Sequence, residues 1–259
     1  MSEFRRQLDG VMFTLAVQAF GRDRLPYPLR YEPERRHPDE PVGYDEYQRM
    51  RAEARQRLRQ IADQRLHRAL SVLLEPEIRV EVHGYYGRGF QQVVRMHAGM
   101  SGRSATLAIQ LPGATQEYGR DVILTHLSPE ALAGQIVTNL PACAPGQYRP
   151  VRARRSDAGR VEYSQHPTRL SLGEEINRII RRRRSGLGEV GVFAGPTLDA
   201  RPTSDVRGFH WMDYLPDDGR YILHHLPDDE FILAPGQPDD MVCQLQRIIE
   251  TTRRSPARS

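Results

Sequence analysis

Apolar and polar residues alternate along this chain with two different periods. From Asp45 to Glu75 the apolar residues recur every three or four positions, which predicts amphipathic helix with a break near Asp63. Pro76 ends this region, and from Ile78 the period falls to two, the pattern of half-buried strands. The chain therefore predicts a protein built from both helices and strands.

The first half of the chain predicts helical segments, then four strands, then a helix. The apolar run 8–20 predicts a buried helix or strand. The strands are indicated by alternation at 78–82, 94–100, 105–111 and 122–124, and Tyr85 to Phe90 is the predicted connection between the first two. A helix then starts at Ser128-Pro129-Glu130, which combines a capping hydroxyl, proline at the first helical position and an acid in the first turn.

The second half repeats this order. A stretch rich in Pro, Gly, Arg and Ser precedes it, and a helix from Ser171 or Leu172 to about Arg184 opens it. Strands are predicted at 190–192, 209–214, 221–224 and 231–233, and a final helix begins near Pro238. Residues 121–140 align with 230–249 without a gap, so that Pro129 coincides with Pro238.

We therefore predict an α+β fold with a pseudo-two-fold internal repeat, in which each half is a mostly antiparallel four-stranded sheet with flanking helices. The predicted divisions are an N-terminal half at 1–140, a linker at 141–170 and a C-terminal half at 171–259. The alternative is that any module of strands followed by a helix looks alike at this level of comparison.

Composition favours a soluble cytoplasmic protein. The net charge is +4, and all 37 basic residues are arginine, which indicates a GC-rich genome rather than selection for phosphate contacts. Cys143 and Cys243 form no disulfide framework and predict two reduced, buried thiols. The apolar run 11–20 is too short to cross a bilayer and has no cleavage site, so neither membrane insertion nor a signal peptide is expected.

The motifs of common enzyme sites are missing from the sequence. The glycine-rich stretch 84–89 joins two strands and lacks the helix N-terminus that binds phosphate. The nine histidines show no zinc-ligand spacing, and no G-x-S-x-G motif occurs. His210 and Asp213 are three apart on a predicted strand and point to opposite faces. We therefore expect no catalytic residue, metal or cofactor; a hydrolase using His210 is the weaker alternative.

The strongest charge run is Arg181 to Arg184, preceded by Arg178. A nucleic-acid-binding regulator that grips phosphates with this Arg178–Arg184 face is the alternative function. The simpler interpretation is a helix C-terminus, where cations offset the helix dipole. No aromatic residues interleave with the run, unlike in single-strand binders, so no nucleic acid partner is expected.

Aromatic residues beside arginine indicate a protein interface. Tyr85, Tyr86 and Phe90 flank Arg88 in the predicted connection, and aromatic side chains with arginine are the usual anchors of protein interfaces. The candidate partner-binding residues are Tyr85, Tyr86, Arg88, Phe90, Trp211 and Arg220. For Trp211, the pattern favours ordinary core packing, and for the Tyr85–Phe90 stretch it favours an interface.

Several stretches in order resemble the EspG family of type VII secretion-associated proteins, over nearly the whole chain. They are Ala19-Phe20-Gly21-Arg22-Asp23-Arg24-Leu25-Pro26-Tyr27-Pro28-Leu29, Leu74-Glu75-Pro76-Glu77-Ile78-Arg79-Val80-Glu81-Val82, Gly191-Val192-Phe193-Ala194-Gly195-Pro196, His210-Trp211-Met212-Asp213 with Asp218-Gly219-Arg220-Tyr221, and the Pro238 helix.

This resemblance implies a non-catalytic, cytoplasmic, actinobacterial chaperone for the type VII (ESX) secretion system. The implied partner is a helical PE–PPE heterodimer or a related substrate, whose apolar tip is covered until export. In the family the loop after the first long strand contributes to that contact, which maps here onto Tyr85, Tyr86, Arg88 and Phe90. Contacts from the second-half sheet or the last helix are also expected. The sequence leaves undecided whether the free protein forms a homodimer.

Overall fold

A computed structural model describes residues 4–33, 43–156, 170–196, 207–226 and 228–254 of the chain. The helices are α1 (Gly10–Ala19), α2 (Tyr44–Ile61), α3 (Gln64–Leu74), α4 (Pro129–Thr138), α5 (Leu172–Ile180) and α6 (Pro238–Arg254). The strands are β1 (Phe4–Leu8), β2 (Ile78–Tyr86), β3 (Gln92–Ser101), β4 (Ser104–Pro112), β5 (Gly119–Leu127), β6 (Val151–Arg154), β7 (Gly186–Ala194), β8 (Arg207–Asp213), β9 (Arg220–His225) and β10 (Glu230–Pro235).

The ten described strands form one sheet in the order β1-β5-β4-β3-β2-β7-β8-β9-β10-β6, with all strand neighbours antiparallel. The predicted mixture of helices with a mostly antiparallel sheet is therefore confirmed. The predicted four strands per half are wrong, because β1 and β6 extend the outer edges and the halves share one continuous sheet. Both added strands are short and lie outside the regions where the alternation is clear.

The two halves meet where β2 pairs with β7. Nine residue pairs form this seam, from Ile78 opposite Ala194 to Tyr86 opposite Gly186. Outward from the seam, the strands of the first half follow the order β2-β3-β4-β5-β1, and those of the second half follow the order β7-β8-β9-β10-β6. The two halves therefore have the same strand order.

Helices cover the two faces of the sheet differently. On one face of the sheet, here called the α4–α6 face, helices α4 and α6 pack against each other and over the seam. A single core cluster on this face contains Val80, Val190, Trp211, Leu132 and Leu245. On the other face, the open face, α1 and α3 cover β3, β4 and β5, whereas α5 covers the outer strands of the second half. The open face therefore has two separate helix layers with the seam between them.

Local signals explain the helix ends. Asp63 caps α3, since its side chain accepts a hydrogen bond from the Leu66 amide at 2.7 Å, and this accounts for the predicted break between α2 and α3. At α5, Ser171 and Glu174 form a capping box. This helix ends at Ile180, four residues before the predicted end, and Arg181 follows as its C-cap.

Three further expectations need correction. The stretch 141–170, which the composition indicated as a linker, contains strand β6, while its residues 157–169 lie outside the described part. Tyr85 and Tyr86 belong to strand β2 rather than to a loop. Cys143 is half-buried and Cys243 is exposed, so the prediction that both thiols are buried is wrong. Within the described ranges, no helix is both long enough and apolar enough to span a membrane.

Candidate functional site

The open face carries a groove at the seam, between its two helix layers. The groove has a volume of about 370 Å³. Its lining on the open face comes from both halves: His83, Tyr85, Leu187, Glu189, His210, Met212, Leu223 and His225, with Arg184 at the side of α5. Cavities of this size accept a few side chains or a small ligand. We call this feature the seam groove.

Burial keeps one histidine of the seam groove neutral. His83 lies between the rings of Tyr27 and Tyr85, at centroid distances of 5.9 and 5.1 Å. Burial, followed by the charges of Arg95 and Arg30, lowers the pKa of His83 to about 4. His83 therefore adds aromatic surface to the groove without a charge at neutral pH.

The far wall of the seam groove carries a second histidine pair. The rings of His210 and His225 meet edge to face at 5.5 Å, and His210 Nε2 lies 3.8 Å from Glu189 Oε2. Burial, followed by the charge of His210, lowers the pKa of His225. With Leu187 and Leu223 between these groups, the groove combines an apolar floor with a few polar atoms at its sides.

A short loop follows directly from the groove strand β2. Residues 87–91, here called the β2–β3 loop, contain one turn of 3-10 helix at Arg88–Phe90. Gly87, Gly89 and Phe90 have φ values of 82°, 68° and 57°, in the left-handed region that favours glycine. A left-handed phenylalanine is unusual, and such residues occur preferentially at binding sites.

Three of the predicted partner-binding residues lie at this end of the sheet. Tyr85 lines the seam groove, Arg88 is exposed in the β2–β3 loop, and Phe90 is half-exposed beside it. Phe90 is thus available for contact, which is what an interface anchor needs.

The other three predicted residues do not join this surface. Tyr86 points to the α4–α6 face and packs against the core there. Trp211 is fully buried, and Arg220 is 4% exposed. Arg220 donates two hydrogen bonds to the Asp213 carboxylate, both at 2.7 Å, and one to the Pro141 carbonyl. Trp211 is therefore a core residue, as the sequence favoured, and Arg220 neutralises a buried acid; a role of either residue in partner binding stays a prediction.

Trp211 nevertheless packs against the seam on the α4–α6 face, directly behind the seam groove. A Cβ atom at either Gly84 or Gly188 would lie 2.4 Å from Trp211 Cζ2, so the indole occupies the space that side chains would need. Only glycine fits at these two facing positions of the seam. The sheet is consequently thin at the seam groove, with the indole packed on its reverse side.

Two arginines of the run, Arg178 and Arg182, make contacts within the folded protein. Arg182 donates a hydrogen bond to Asp218 at 2.7 Å and lies 4.4 Å from the Tyr214 ring centroid, while Arg178 stacks on Tyr148 at 4.3 Å. Arg184 reaches the seam groove, and Arg181 and Arg183 are exposed. The run is therefore split among several directions, which weakens the alternative of one continuous phosphate-binding face.

The residues of the weaker hydrolase alternative are also separated. His210 faces the seam groove, whereas Asp213 points to the opposite face and pairs with Arg220, as their spacing predicts. In the part of the chain that the structure describes, His, Cys, Asp and Glu side chains do not gather in groups of three that could hold a metal ion.

Sequence reasoning missed the seam groove itself. Leu187, Glu189, Leu223 and His225 line it, but none was singled out. The sequence did contain a signal for the groove, because Gly186 and Gly188 alternate with larger residues along β7. In the sheet, Gly188 pairs with Gly84 of the other half. Glycines at alternate strand positions indicate a close approach from one face.

A family model described as the EspG family matches residues 10–247. Among curated proteins, none matches the chain.

Proposed function

Because this chain belongs to the EspG family, we propose that it is a non-catalytic cytoplasmic chaperone for type VII (ESX) secretion. Its partner in this proposal is a PE–PPE heterodimer or a related helical substrate. The chaperone covers the apolar tip of the pair and keeps it soluble until export. Family membership is consistent with a role associated with ESX secretion, and the identity of the partner is the further step.

The observation that carries this proposal is the seam groove beside the β2–β3 loop. Tyr85 and Leu187 give the groove an apolar floor, and the exposed Arg88 and half-exposed Phe90 stand next to it. An apolar centre with arginine and polar groups at the rim is the usual anatomy of a protein interface. The groove is open to the surface and receives side chains from both halves, so it suits a protruding tip better than a flat surface.

The charge state of the seam groove supports the same partner. Burying an apolar tip against charged groups costs free energy unless those groups are paired. His83, with its pKa lowered to about 4, is neutral at neutral pH, whereas the charged Glu189 and Arg184 lie at the sides of the groove. The wall that His83 forms therefore adds no charge that would oppose docking of an apolar segment.

We also propose that the two halves are duplicates of one ancestral unit. Strand order runs outward from the seam identically on both sides, and the helix after each meander, α4 or α6, packs on the same face. In an experimentally determined structure, residues 78–140 should superpose on 189–250; unrelated backbones there would reject the duplication.

Co-expression with a PE–PPE pair from the same secretion locus tests the proposed function. We expect a complex with one copy of each chain. Phe90→Asp should weaken its affinity at least about tenfold, because an apolar anchor becomes a charge. Aspartate tolerates the left-handed backbone at this position, so the substitution should not add strain.

The matched control is Gln135→Asp, an exposed residue of α4 on the opposite face of the sheet. This variant should bind as the unmodified protein does, and both variants should keep its melting temperature. Absence of a complex with the unmodified chain would reject the function. A Phe90→Asp protein that no longer folds would instead place Phe90 in the core.

A further inference from the structure

The tip of the neighbouring β4–β5 hairpin holds the β2–β3 loop in place. Gln116, in the turn between β4 and β5, donates a hydrogen bond from Nε2 to the Phe90 carbonyl at 2.7 Å. The loop has one main-chain hydrogen bond of its own, from the Phe90 amide to the Gly87 carbonyl at 3.1 Å. A single neighbouring side chain therefore supports the left-handed backbone of Phe90.

A buried arginine fixes the hairpin tip in turn. Arg95 on β3 is 5% exposed, and its Nη2 donates hydrogen bonds to the main-chain carbonyls of Gln116 and Glu117. Burial lowers the pKa of Arg95. Arg95 also lies directly opposite His83 in the β2–β3 pairing, so it backs the wall of the seam groove. Arg95 thus holds the hairpin tip beside the groove wall, and Gln116 of this tip holds the β2–β3 loop.

We propose that Arg95 and Gln116 are positioning residues, which hold the β2–β3 loop in the conformation that presents Phe90 and Arg88 to the partner. This inference rests on the proposed function. The left-handed backbone of a phenylalanine costs free energy similar to the gain from one hydrogen bond. Loss of the Gln116 hydrogen bond should therefore let the loop leave this conformation without unfolding the sheet.

Hydrogen exchange in the free, full-length protein tests the positioning step without a partner. In Gln116→Ala we expect the Phe90 amide to exchange about fivefold faster, the factor that corresponds to one lost hydrogen bond. Gln116→Glu should have the same effect, because it keeps the size but replaces the donor by an acceptor. Thr115→Ala, an exposed neighbour in the same hairpin tip, is the matched control and should leave the exchange unchanged.

Arg95→Lys tests the second step. Lysine keeps the positive charge, but its shorter side chain does not place a nitrogen where Nη2 of Arg95 contacts both carbonyls. We expect faster exchange in both the hairpin tip and the β2–β3 loop. Arg103→Lys, at the exposed turn between β3 and β4, should change neither. Unchanged exchange in Arg95→Lys overturns the role of Arg95, and the Gln116 variants decide the role of Gln116 separately.

Affinity for the PE–PPE pair completes the test. Gln116→Ala and Gln116→Glu should weaken binding about fivefold, while Thr115→Ala binds normally. Unchanged exchange in the Gln116 variants overturns the inference, as does faster exchange with unchanged affinity. Failure of the unmodified chain to bind any pair overturns the proposed function and with it the docking role; the exchange data then still show whether Gln116 orders the loop.

Discussion

His97 is a titratable side chain placed where it cannot easily accept a proton. The side chain lies on β3 beneath α3 and is 1% exposed, with Nδ1 2.7 Å from the Tyr27 carbonyl. Burial lowers the pKa of His97 to about 4, although hydrogen bonds to the main chain of Tyr27 and Leu73 act in the opposite direction. Its neutral form is therefore part of the folded state.

We predict that acid destabilises the protein through His97. In the unfolded chain the pKa of His97 is about 6.5. Between that value and about 4, the unfolded state binds a proton that the folded state does not. The contribution of His97 to the free energy of unfolding should thus be fully present above pH 6.5 and decrease by up to about 3 kcal/mol as the pH drops toward 4. His83, whose pKa is also lowered to about 4, should add to this decline. Urea unfolding at a series of pH values measures this loss.

The control for this prediction is a pair of substitutions. His97→Gln should remove the part of the decline that His97 causes and leave the part from His83, whose pKa is also about 4, whereas His67→Gln, at an exposed position of α3, should keep the whole decline. Parallel curves for His97→Gln and the unmodified protein would contradict the assignment of the decline to this residue.

At the scale of single residues, the sequence identified side chains with the chemistry of a protein interface, but not which of them are exposed. Phe90 and Arg88 were singled out as aromatic and cationic and are accessible. Trp211 and Arg220 have the same chemistry but are buried. What separates the two pairs is the identity of the opposing residue: Gly84 and Gly188 admit the indole, and Asp213 neutralises the guanidinium. Such pairing is non-local and is not encoded in the spacing of residues along the chain.

Among the elements, α5 is held at its C-terminal end by one arginine. Arg182 lies just beyond the helix, and its guanidinium contacts the rings of Tyr148, Tyr214 and Tyr221 at 5.4, 4.4 and 5.8 Å. It also pairs with Asp218, whose side chain is 3% exposed. Burial acts to raise the pKa of Asp218, but its hydrogen bonds, first that from Arg182, hold the pKa below its ordinary value. Helix α5 is thereby tied to the β8–β9 turn.

We predict that Arg182→Ala lowers the free energy of unfolding by about 1–3 kcal/mol, since it leaves a buried carboxylate without its cation. The neighbouring Arg181→Ala is the control: that side chain is exposed, and its loss should change stability by less than about 0.5 kcal/mol. Chemical unfolding of both variants measures the difference. Equal stabilities would mean that the arginine run is only a solvated helix end.

Periodicity predicted most elements because their buried faces are long. Strands β2 to β5 and helices α2, α3 and α6 all show several repeats of their pattern. Strand β6 has only four residues, and β1 has five directly before a helix. Each of these strands pairs with one neighbour, β10 or β5, and buries only two apolar side chains, Val151 and Ala153 of β6 or Phe4 and Leu8 of β1. An alternation of four or five residues is too short to reveal such strands.

At the scale of the whole molecule, the two halves share a core. The cluster on the α4–α6 face joins Ile136 of α4 to Trp211 of β8 and Leu245 of α6. Together with the nine-pair seam between β2 and β7, this makes the unfolding of one half expose much of the other. The boundary predicted between the halves therefore does not separate two independent cores.

We predict that the protein unfolds in a single transition. Trp211 is the only tryptophan and reports on the second half. Ile136→Ala, in the first half, should lower the free energy of unfolding by about 2–5 kcal/mol and shift the Trp211 fluorescence midpoint as much as the circular dichroism midpoint. Thr138→Ala, exposed on the same helix, should shift neither. Two separate midpoints would show that the halves unfold independently.

The seam groove was beyond sequence reasoning for the same non-local reason. Its lining comes from β2 and from β7 to β9, and β2 and β7 are about a hundred residues apart in the chain. The sequence predicted each strand but not that the first strands of the two halves would lie side by side. The family resemblance predicted the loop at its rim, because that loop is a local feature.

The outermost strands limit how this wide sheet can grow. Both ends carry exposed arginines, Arg5 on β1 and Arg152 and Arg154 on β6, and neither strand exceeds five residues. Short, charged borders discourage another polypeptide from docking there as an eleventh strand. A binding partner should therefore contact a face of the sheet or its loops rather than an edge strand. The same edges disfavour the edge-to-edge pairing of several copies of the chain into fibres.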